Sequence, residues 1–313
     1  MSFLNRIKRI AKYMSFEEFR FDLEYLWFRL QERKYIAAKT PELREIDDLV
    51  RNDEKCDMNA KGRLVSIIIP SKDNPKLLSD LLKSVREKEG SLHPEIIVVD
   101  NGSSNENRRI YEEIAKREEA SYLYNKEKFN FSKMCNEGSK QATGDLLLFL
   151  NDDMKVISDN FLEPLAKTVL EEKSGAVGSL LLFENNAIQH AGLSGGFFPM
   201  HLHYEESEES IDYLPKLYQA PEVTGACLMV RKEVFQLVGG FDEELPNHYN
   251  DVDLCLKLLE AGYFNMVRKD VKLYHLESFT RGKGIDMTKE ERKAWIKAHE
   301  YLLSRHYDTL LVV

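Results

Sequence analysis

Short apolar runs alternate with amphipathic segments from Leu64 onward, which is typical of a parallel sheet covered by helices. Asn74 and Pro75 are suited to cap and start the first of these helices. The pattern predicts strands over residues 65–69, 96–99, 122–124, 146–150, 177–182 and 223–230. It predicts helices from 74, around 110–114, over 132–142 and 161–170, from 232 and from 250. We therefore expect an α/β fold with a mostly parallel central sheet.

The regular pattern lapses between residues 183 and 222. This stretch contains Gly192, Gly195 and Gly196 and an acidic run that begins at Glu205. Loops of this length inside a compact domain are usually functional or mobile. We therefore expect residues 183–222 to contribute to ligand selection.

Residues 1–14 have the spacing of an amphipathic helix with an apolar stripe. Its basic side chains are Arg6, Lys8, Arg9 and Lys12, and it contains no acidic residue. Such a helix either lies on an anionic membrane surface or packs on its own domain with a solvated basic face. A second helical stretch covers residues 16–33, and residues 34–62 have the composition of a linker.

The pattern predicts three parts: a helical arm and linker over residues 1–62, an α/β domain over 63–285, and a helical tail over 286–313. The α/β domain contains all the predicted strands. The arm contains the basic amphipathic helix, so any membrane contact is expected there.

Composition narrows the class of protein. The 313 residues carry a net charge of −9, with 43% hydrophobic and 31% charged residues, as in an ordinary globular chain. This acidic balance argues against a nucleic-acid partner. The chain shows neither a secretory signal nor an apolar run long enough to cross a bilayer, and its four cysteines lack metal-site spacing. These features favour a cytoplasmic protein, peripheral on the inner face of the membrane if residues 1–14 bind lipid.

Acidic residues follow three of the predicted strands. Asp73 comes shortly after the first strand, Asp100 ends the second, and Asp152 and Asp153 follow the strand over 146–150. A single aspartate in such a place is often a turn former. In open α/β sheets, however, ligands bind beyond the carboxyl ends of the strands, and adjacent carboxylates suit Mg²⁺ or Mn²⁺. The sequence therefore predicts a divalent-cation site at this edge.

The first strand-to-helix turn lacks a glycine-rich phosphate loop. Residues 70–75 read PSKDNP, without the GxGxxG of dinucleotide-binding domains or the GxxxxGK[ST] of P-loop proteins. This excludes dehydrogenase and P-loop NTPase functions. A phosphate group must then be held by a metal ion and side chains.

Asp251 and Asp253 form a second acidic pair. On a helix they point about 200° apart, so they are expected to have different roles. In one interpretation Asn250 caps the helix and both acids only complement its positive end. In the other, one acid projects into the cleft as a general base.

His275 and Arg281 follow the apolar run over residues 271–274. His275 is either a structural histidine or, beside a carboxylate-lined cleft, a ligand for a metal or phosphate. Arg281 is either a solvated surface residue or a contact for a diphosphate.

Seven motifs occur in order along residues 62–283: IIIPSKDN, EIIVVDNGS, FNFSKMCNEGSKQATGDLLLFLNDD, IQHAGL, VTGACLMVRKEVFQLVGGFDEEL, YNDVDLCLKLLEAGY and YHLESFTRG. Together they resemble the family-2 glycosyltransferases, and more narrowly the bacterial branch that builds rhamnose-containing and other surface polysaccharides. This resemblance implies the GT-A fold.

The resemblance also implies donor-side roles. The donor nucleotide would be contacted by Asp73 and Asp100, beside Ser71 and Ser103, and the donor pocket would be lined by Asn130 and Asn136. Asp153 matches the metal-binding acid of the family's DxD motif and Asp152 its middle position, with Asn151 standing first. His275 and Arg281 match positions that meet the metal or the diphosphate.

On the acceptor side, Asp251 matches the catalytic base, with Asn250 in place of the family's glutamate. Thr224 and Gly225 match a strand that floors the acceptor site. The implied reaction is an inverting transfer of a sugar from a nucleotide-diphosphate donor to a glycan or lipid-linked glycan, with Mg²⁺ or Mn²⁺. We expect the acceptor to be selected by residues 183–222.

Two other functions compete with glycosyl transfer. A sugar nucleotidyltransferase has a similar early sheet but needs a glycine- and arginine-rich turn, which residues 67–74 lack. A catalytically silent scaffold that binds a nucleotide sugar would not need the combination of Asp153, Asp251 and His275. Both alternatives are therefore weaker.

Overall fold

The computed structural model describes residues 64–276 and 288–313. The predicted helices and linker over residues 1–62, and Arg281, lie outside the described residues. The strands are β1 Val65–Ser71, β2 Glu95–Asp100, β3 Ser121–Tyr124, β4 Leu146–Leu150, β5 Met154–Val156, β6 Ser174–Leu182, β7 Ile188–His190, β8 Leu217–Gln219, β9 Cys227–Arg231 and β10 Phe264–His275. The helices are α1 Pro75–Lys88, α2 Asn105–Arg117, α3 Phe131–Gln141, α4 Leu162–Val169, α5 Lys232–Leu237, α6 Asn250–Glu260 and α7 Lys289–Val312.

The strands of the described part form one sheet in the order β3-β2-β1-β4-β9-β6-β10-β5, with β7 paired to β6 and β8 to β10. β3, β2, β1 and β4 are parallel, and so are β6 and β10. β9 runs antiparallel between β4 and β6, and β5 runs antiparallel to β10. The predicted α/β fold with a mostly parallel sheet is confirmed.

Both faces of this sheet are buried, which explains why its strands are uninterrupted apolar runs. On β1, Ile67 packs toward Leu78 of α1, whereas its neighbour Ile68 packs toward Met134 of α3 on the other face. Gly138 lets α3 approach the sheet closely, because an added Cβ would lie 2.4 Å from Ile68 Cγ2. The core therefore holds the strand ends in place from two sides.

Several local expectations were wrong. β1 continues through Pro70 to Ser71, and Asn74 precedes α1 without a capping side-chain hydrogen bond. α6 begins after Tyr249, which has a left-handed backbone (φ 61°), so Asn250 is its first residue and not its cap. The stretch over residues 183–222 is also not irregular throughout, since it contains β7, β8 and a 3-10 turn at Glu208–Ile211.

β10 is longer than its apolar pattern indicates. Only residues 271–274 read as a strand in the sequence, because Asn265 and Arg268 interrupt the apolar pattern. Asn265 bonds the carbonyls of Pro221 and Cys255, and Arg268 bonds Thr168. These buried polar side chains are satisfied only in the folded chain.

α7 packs against α6 through a buried charged cluster. His306 Nε2 lies 2.9 Å from Asp253 Oδ1, and His306 Nδ1 lies 2.8 Å from Glu260 Oε1. Lys257 Nζ lies 2.8 Å from the other Asp253 oxygen. α7 is kinked at His306, where φ is −121°. Within residues 64–276 and 288–313, neither α7 nor any other helix has the apolar length needed to cross a bilayer.

This cluster shifts the pKa of both partners. Burial lowers the pKa of His306, but its hydrogen bonds to Asp253 and Glu260 outweigh burial and raise the pKa above its ordinary value. Burial raises the pKa of Asp253, but the His306 hydrogen bond and the Lys257 charge outweigh it and lower the pKa. The pair is therefore most favourable when both groups are charged.

Replacing His306 with glutamine should lower the free energy of unfolding by about 2 kcal/mol near pH 5.5, because buried Asp253 loses a charged hydrogen bond. Since the folded pKa of His306 is raised, its stabilisation is complete below the unfolded value of about 6.5 and declines as the pH rises through the folded value. Asp253, with its lowered pKa, contributes above about pH 4. Thermal unfolding at pH 5.5 and 8.5 should show the larger deficit at pH 5.5.

The exposed Lys297 on the same helix provides the control, and Lys297→Gln should change stability little at either pH. A deficit for His306→Gln that is equal at the two pH values would show that the charge on His306 does not stabilise the fold.

Candidate active site at the carboxyl edge of the sheet

One edge of the sheet collects most of the predicted site residues. Strands β1, β2, β4, β6 and β10 run in the same direction and end at this edge. β9 begins there, because it runs antiparallel to β4 with Leu150 opposite Cys227. The residues brought to this edge are Ser71, Asp73, Asp100, Ser103, Asp152, Asp153, Thr224, Gly225, Asp251 and His275.

Asp152 is held by the end of β1. Ser71 Oγ donates to Asp152 Oδ2 at 2.5 Å and also contacts Tyr111 Oη at 2.6 Å. The parallel register of β1 and β4 produces this contact, since Ile68 lies opposite Phe149. Burial raises the pKa of Asp152 to about 6; the Ser71 hydrogen bond opposes the rise and the Asp153 carboxylate adds to it. A nearby positive charge would keep Asp152 ionised.

Asp153 faces His275 at the end of β10. Both side chains are nearly buried, and Asp153 Oδ1 lies 3.3 Å from His275 Nε2. Gln189 Oε1, which can only accept, lies 2.6 Å from His275 Nδ1, so Nδ1 carries a proton. Nε2 then meets the carboxylate either with a second proton or with its lone pair. Two buried acceptors repel unless a cation lies between them, which is the requirement that a metal ion meets.

The donor set fits a divalent ion that is shared with a ligand. Asp153 Oδ1 is buried and has no hydrogen-bond donor, and His275 Nε2 points at it. Across the described parts of the chain, no three His, Cys, Asp or Glu side chains converge to hold a metal by themselves. Oxygen atoms of a diphosphate and water would have to complete the coordination of Mg²⁺ or Mn²⁺.

The turns after β1 and β2 are bonded to each other. Asp100 is fully buried; its Oδ1 accepts from Ser103 N and Oγ, and its Oδ2 accepts from Tyr122 Oη at 2.5 Å. Asp73, whose backbone is left-handed (φ 54°), donates its N–H to Ser103 Oγ at 2.8 Å. Hydrogen bonds from Asn107 and Ser104 lower the pKa of Asp73. Asp100 thus stabilises the turn after β2, whereas Asp73 is exposed to solvent. The contact of either residue with a nucleotide stays a prediction.

Asp251 lies at the start of α6, against the lead-in to β9. Gly225 N donates to Asp251 Oδ2 at 2.9 Å, and Val252 N donates to Asp251 Oδ1 at 2.9 Å. The carbonyl oxygen of Ala226, the residue after Gly225, accepts from Asn151 N at 3.0 Å. This hydrogen bond joins the lead-in to β9 to the end of β4. Asp251 is partly exposed whereas Asp253 is fully buried, as expected for residues on different helix faces.

Asn130 lies at the start of α3 and Asn136 in its middle. Asn130 caps α3 by accepting from Lys133 N, and its amide donates to the carbonyl of Glu243. Asn136 exchanges hydrogen bonds with the backbone of Phe241 at 2.9 and 3.0 Å. Both amides therefore join α3 to the segment before α6, and their predicted contact with a donor is not tested.

The sequence motifs did not identify a role for Gln189 and His190, two residues of β7. Gln189 is hydrogen-bonded to His275, and His190 Nε2 accepts from Thr224 N at 3.3 Å. Both are almost completely buried. The motif IQHAGL contains them, but their side-chain partners lie 86 and 34 residues away in the chain. No local pattern could identify these pairings.

Comparison with known proteins assigns the family. Residues 66–239 match the family model Glycosyl transferase family 2. The uncharacterized protein y4gI of Sinorhizobium fredii is 33% identical over 77% of this chain, and the O-antigen biosynthesis protein RfbC of Myxococcus xanthus is 34% identical over 69%. The chain spans only 27% and 18% of the length of these two relatives.

Solved structures share the fold. GalNAc-T7, crystallised with UDP, GalNAc and Mn²⁺, superimposes with a TM-score of 0.60 over 77% of this chain and 48% of its own, at 15% identity. The mannosyltransferase PcManGT from Pyrobaculum calidifontis, in complex with GDP-Man and Mn²⁺, gives 0.55 over 97% of this chain and 84% of its own, at 16% identity. The fold is that of GT-A glycosyltransferases. The chain therefore belongs to glycosyl transferase family 2.

Proposed function

We propose that this protein is an inverting, metal-dependent glycosyltransferase. It moves a hexosyl or rhamnosyl unit from a nucleotide-diphosphate donor to a glycan or lipid-linked glycan acceptor in the synthesis of a bacterial surface polysaccharide. The observation that supports the proposal most strongly is that one edge of the sheet carries both a pair of side chains suited to hold a metal ion and a separate carboxylate suited to act as a base. The Asp153–His275 pair lies at the ends of β4 and β10, and Gly225 holds Asp251 at the same edge.

The surface-polysaccharide role is supported by the names of two relatives. RfbC is an O-antigen biosynthesis protein, and a shorter match of 61 residues at 34% identity is an N-acetylglucosaminyl-diphospho-decaprenol L-rhamnosyltransferase of Mycobacterium tuberculosis. The first name refers to O-antigen, and the second names a sugar linked to diphospho-decaprenol as the acceptor. We extend this class of acceptor to the present chain.

Asp153 and His275 are the residues that would hold Mg²⁺ or Mn²⁺. When bound, the ion supplies positive charge that stabilises the diphosphate as it leaves. Asp152, beside this pair, is anchored by Ser71 and contributes to the same negative surface. We place the donor diphosphate over these residues and the nucleoside toward Asp73 and the turn that Asp100 braces.

Asp251 is the proposed general base. Its Oδ2 accepts the Gly225 N–H, so the carboxylate is held in one orientation at the start of α6. It takes the proton of an acceptor hydroxyl while that oxygen forms a bond to the anomeric carbon. The bond between that carbon and the donor phosphate oxygen breaks on the opposite side. This single displacement inverts the anomeric configuration.

Replacing Asp251 with asparagine should reduce turnover by at least about 100-fold, because the proton of the acceptor hydroxyl loses its base. The affinity for the donor nucleotide should stay within a few-fold of the wild type, since Asp251 is not one of the proposed metal ligands. A panel of nucleotide sugars, tested for metal-dependent transfer or hydrolysis, identifies the donor, and calorimetry then measures its affinity for each variant.

Asp253→Asn is the matched control on the same helix. It should lower the melting temperature, because it weakens the contact with His306, but retain most of the turnover. Near-normal turnover by Asp251→Asn would refute the assignment of the base. Donor binding without any turnover by the wild type would instead indicate a scaffold subunit.

Nucleoside diphosphates should stabilise the protein only when a divalent ion is present. At about 100 times Kd, a ligand adds about 2.7 kcal/mol, which raises the melting temperature by several degrees. Thermal unfolding with UDP, GDP or dTDP in Mn²⁺ should show this rise for the preferred nucleotide, and EDTA should remove it. Asp153→Asn in Mn²⁺ should behave like the wild type in EDTA.

The exposed Asp80 on α1 is the control, and Asp80→Asn should retain the full nucleotide effect. Stabilisation that persists in EDTA and in Asp153→Asn would show that this pair does not hold a metal.

Residues 1–14 are proposed to contact the inner face of the cytoplasmic membrane. Each basic residue near an anionic surface contributes about 1 kcal/mol, so deleting this segment should weaken binding to anionic liposomes more than tenfold. Sedimentation with anionic and neutral vesicles measures the effect. Turnover on a water-soluble acceptor should be unchanged. Equal binding of the deleted and full-length proteins to anionic vesicles would refute the membrane contact.

A further inference from the structure

Strand β7 carries two adjacent buried polar side chains. Gln189 is 3% exposed and His190 is fully buried. β7 pairs antiparallel with the carboxyl end of β6, through His190 opposite Leu181 and Ile188 opposite Leu182, which places it at the edge that holds the site. Burying polar groups is costly unless each is hydrogen-bonded, so the partners of these two residues indicate what they do.

Gln189 bonds the proposed metal ligand His275. Its Oε1 lies 2.6 Å from His275 Nδ1 and accepts the proton of that nitrogen. The same bond orients the ring so that Nε2 faces Asp153 Oδ1 at 3.3 Å. A metal-binding histidine depends on such a partner for its tautomer and orientation, and loss of the partner typically weakens metal binding about 10- to 100-fold.

His190 bonds the segment that holds the proposed base. Thr224 N donates to His190 Nε2 at 3.3 Å, so the proton of the ring lies on Nδ1, which donates to His201 Nδ1 at 2.9 Å. Burial, together with His201 and His275, lowers the pKa of His190 well below its ordinary value, which keeps Nε2 available as an acceptor. The residue after Thr224 is Gly225, whose N–H donates to Asp251 Oδ2.

We propose that β7 is a positioning element that supports both halves of the active site through two neighbouring residues. Gln189 orients His275 toward the metal, and His190 holds the Thr224–Gly225 backbone that orients Asp251. Neither residue touches the reacting atoms. This inference rests on the proposed function, but it makes a separate claim: the two residues act on different properties of the enzyme.

The first measurement is the affinity of the full-length protein for Mn²⁺ in saturating UDP or GDP, from the electron paramagnetic resonance of the free ion. Gln189→Met, which has a similar volume but no acceptor at that position, should raise the Kd for Mn²⁺ about 10- to 100-fold. Gln189→Glu keeps an acceptor for His275 Nδ1 and should stay within a few-fold of the wild type. His190→Phe should leave the Kd for Mn²⁺ unchanged.

The second measurement is amide hydrogen exchange of residues 223–226. His190→Phe removes the acceptor of the Thr224 N–H and should accelerate exchange there about tenfold or more. It should also lower kcat for the donor identified by the panel, with little change in the KM for that donor. His190→Gln restores an acceptor and should recover part of both effects. Gln189→Met should leave this exchange unchanged.

Thr168→Val controls for the loss of a buried hydrogen bond elsewhere, because Thr168 lies on α4 and bonds Pro164 O and Arg268. It should leave both readouts unchanged. The proposal is overturned if Gln189→Met binds Mn²⁺ like the wild type, if His190→Phe leaves exchange at 223–226 unchanged, or if both variants alter both readouts alike. A wild type that binds no Mn²⁺ would refute the proposed metal dependence, while the exchange result would still test His190.

Discussion

The antiparallel pairing of β9 with β4 is the constraint on which the site depends. In an all-parallel sheet, the segment before β9 would lie at the opposite edge from the carboxylates that follow β4. Because β9 runs the other way, Leu150 lies opposite Cys227, and Asn151 bonds Ala226. The Gly225 N–H is thereby placed beside the β4 carboxylates, where it holds Asp251. One reversed strand thus joins the acidic edge to the proposed base.

The same edge concentrates negative charge in a largely buried environment. Asp152 and Asp153 are adjacent, and burial raises the pKa of Asp152 to about 6. The hydrogen bond from the Ser71 hydroxyl offsets this cost in part. The remaining repulsion favours a cation, since a divalent ion stabilises both carboxylates and also binds the oxygens of a diphosphate. The electrostatics of this edge and the chemistry of the proposed reaction therefore have the same requirement.

Much of the sheet could be predicted because its strands are apolar on both faces. The runs that became β1, β2, β4 and β6 are visible without tertiary information, and so are the acids that follow three of them. The irregular reading of residues 183–222 failed for a physical reason. β7 has three residues and β8 has three, and each is a strand only because β6 or β10 provides its hydrogen-bonding partner. The sequence left open whether Asn250 caps α6, because Tyr249 adopts the left-handed conformation without a glycine to signal it.

The sequence by itself determined the α/β class, the family and the acidic residues of the candidate site, because these depend on local periodicity and on short motifs. The different environments of Asp251 and Asp253 also followed from helical geometry alone. Only the tertiary structure decided which groups support those acids. The bonds of Gln189 to His275, His190 to Thr224 and Gly225 to Asp251 link residues that are 86, 34 and 26 positions apart. Such pairs form only when the sheet brings its strand ends together, and no local pattern of side chains encodes them.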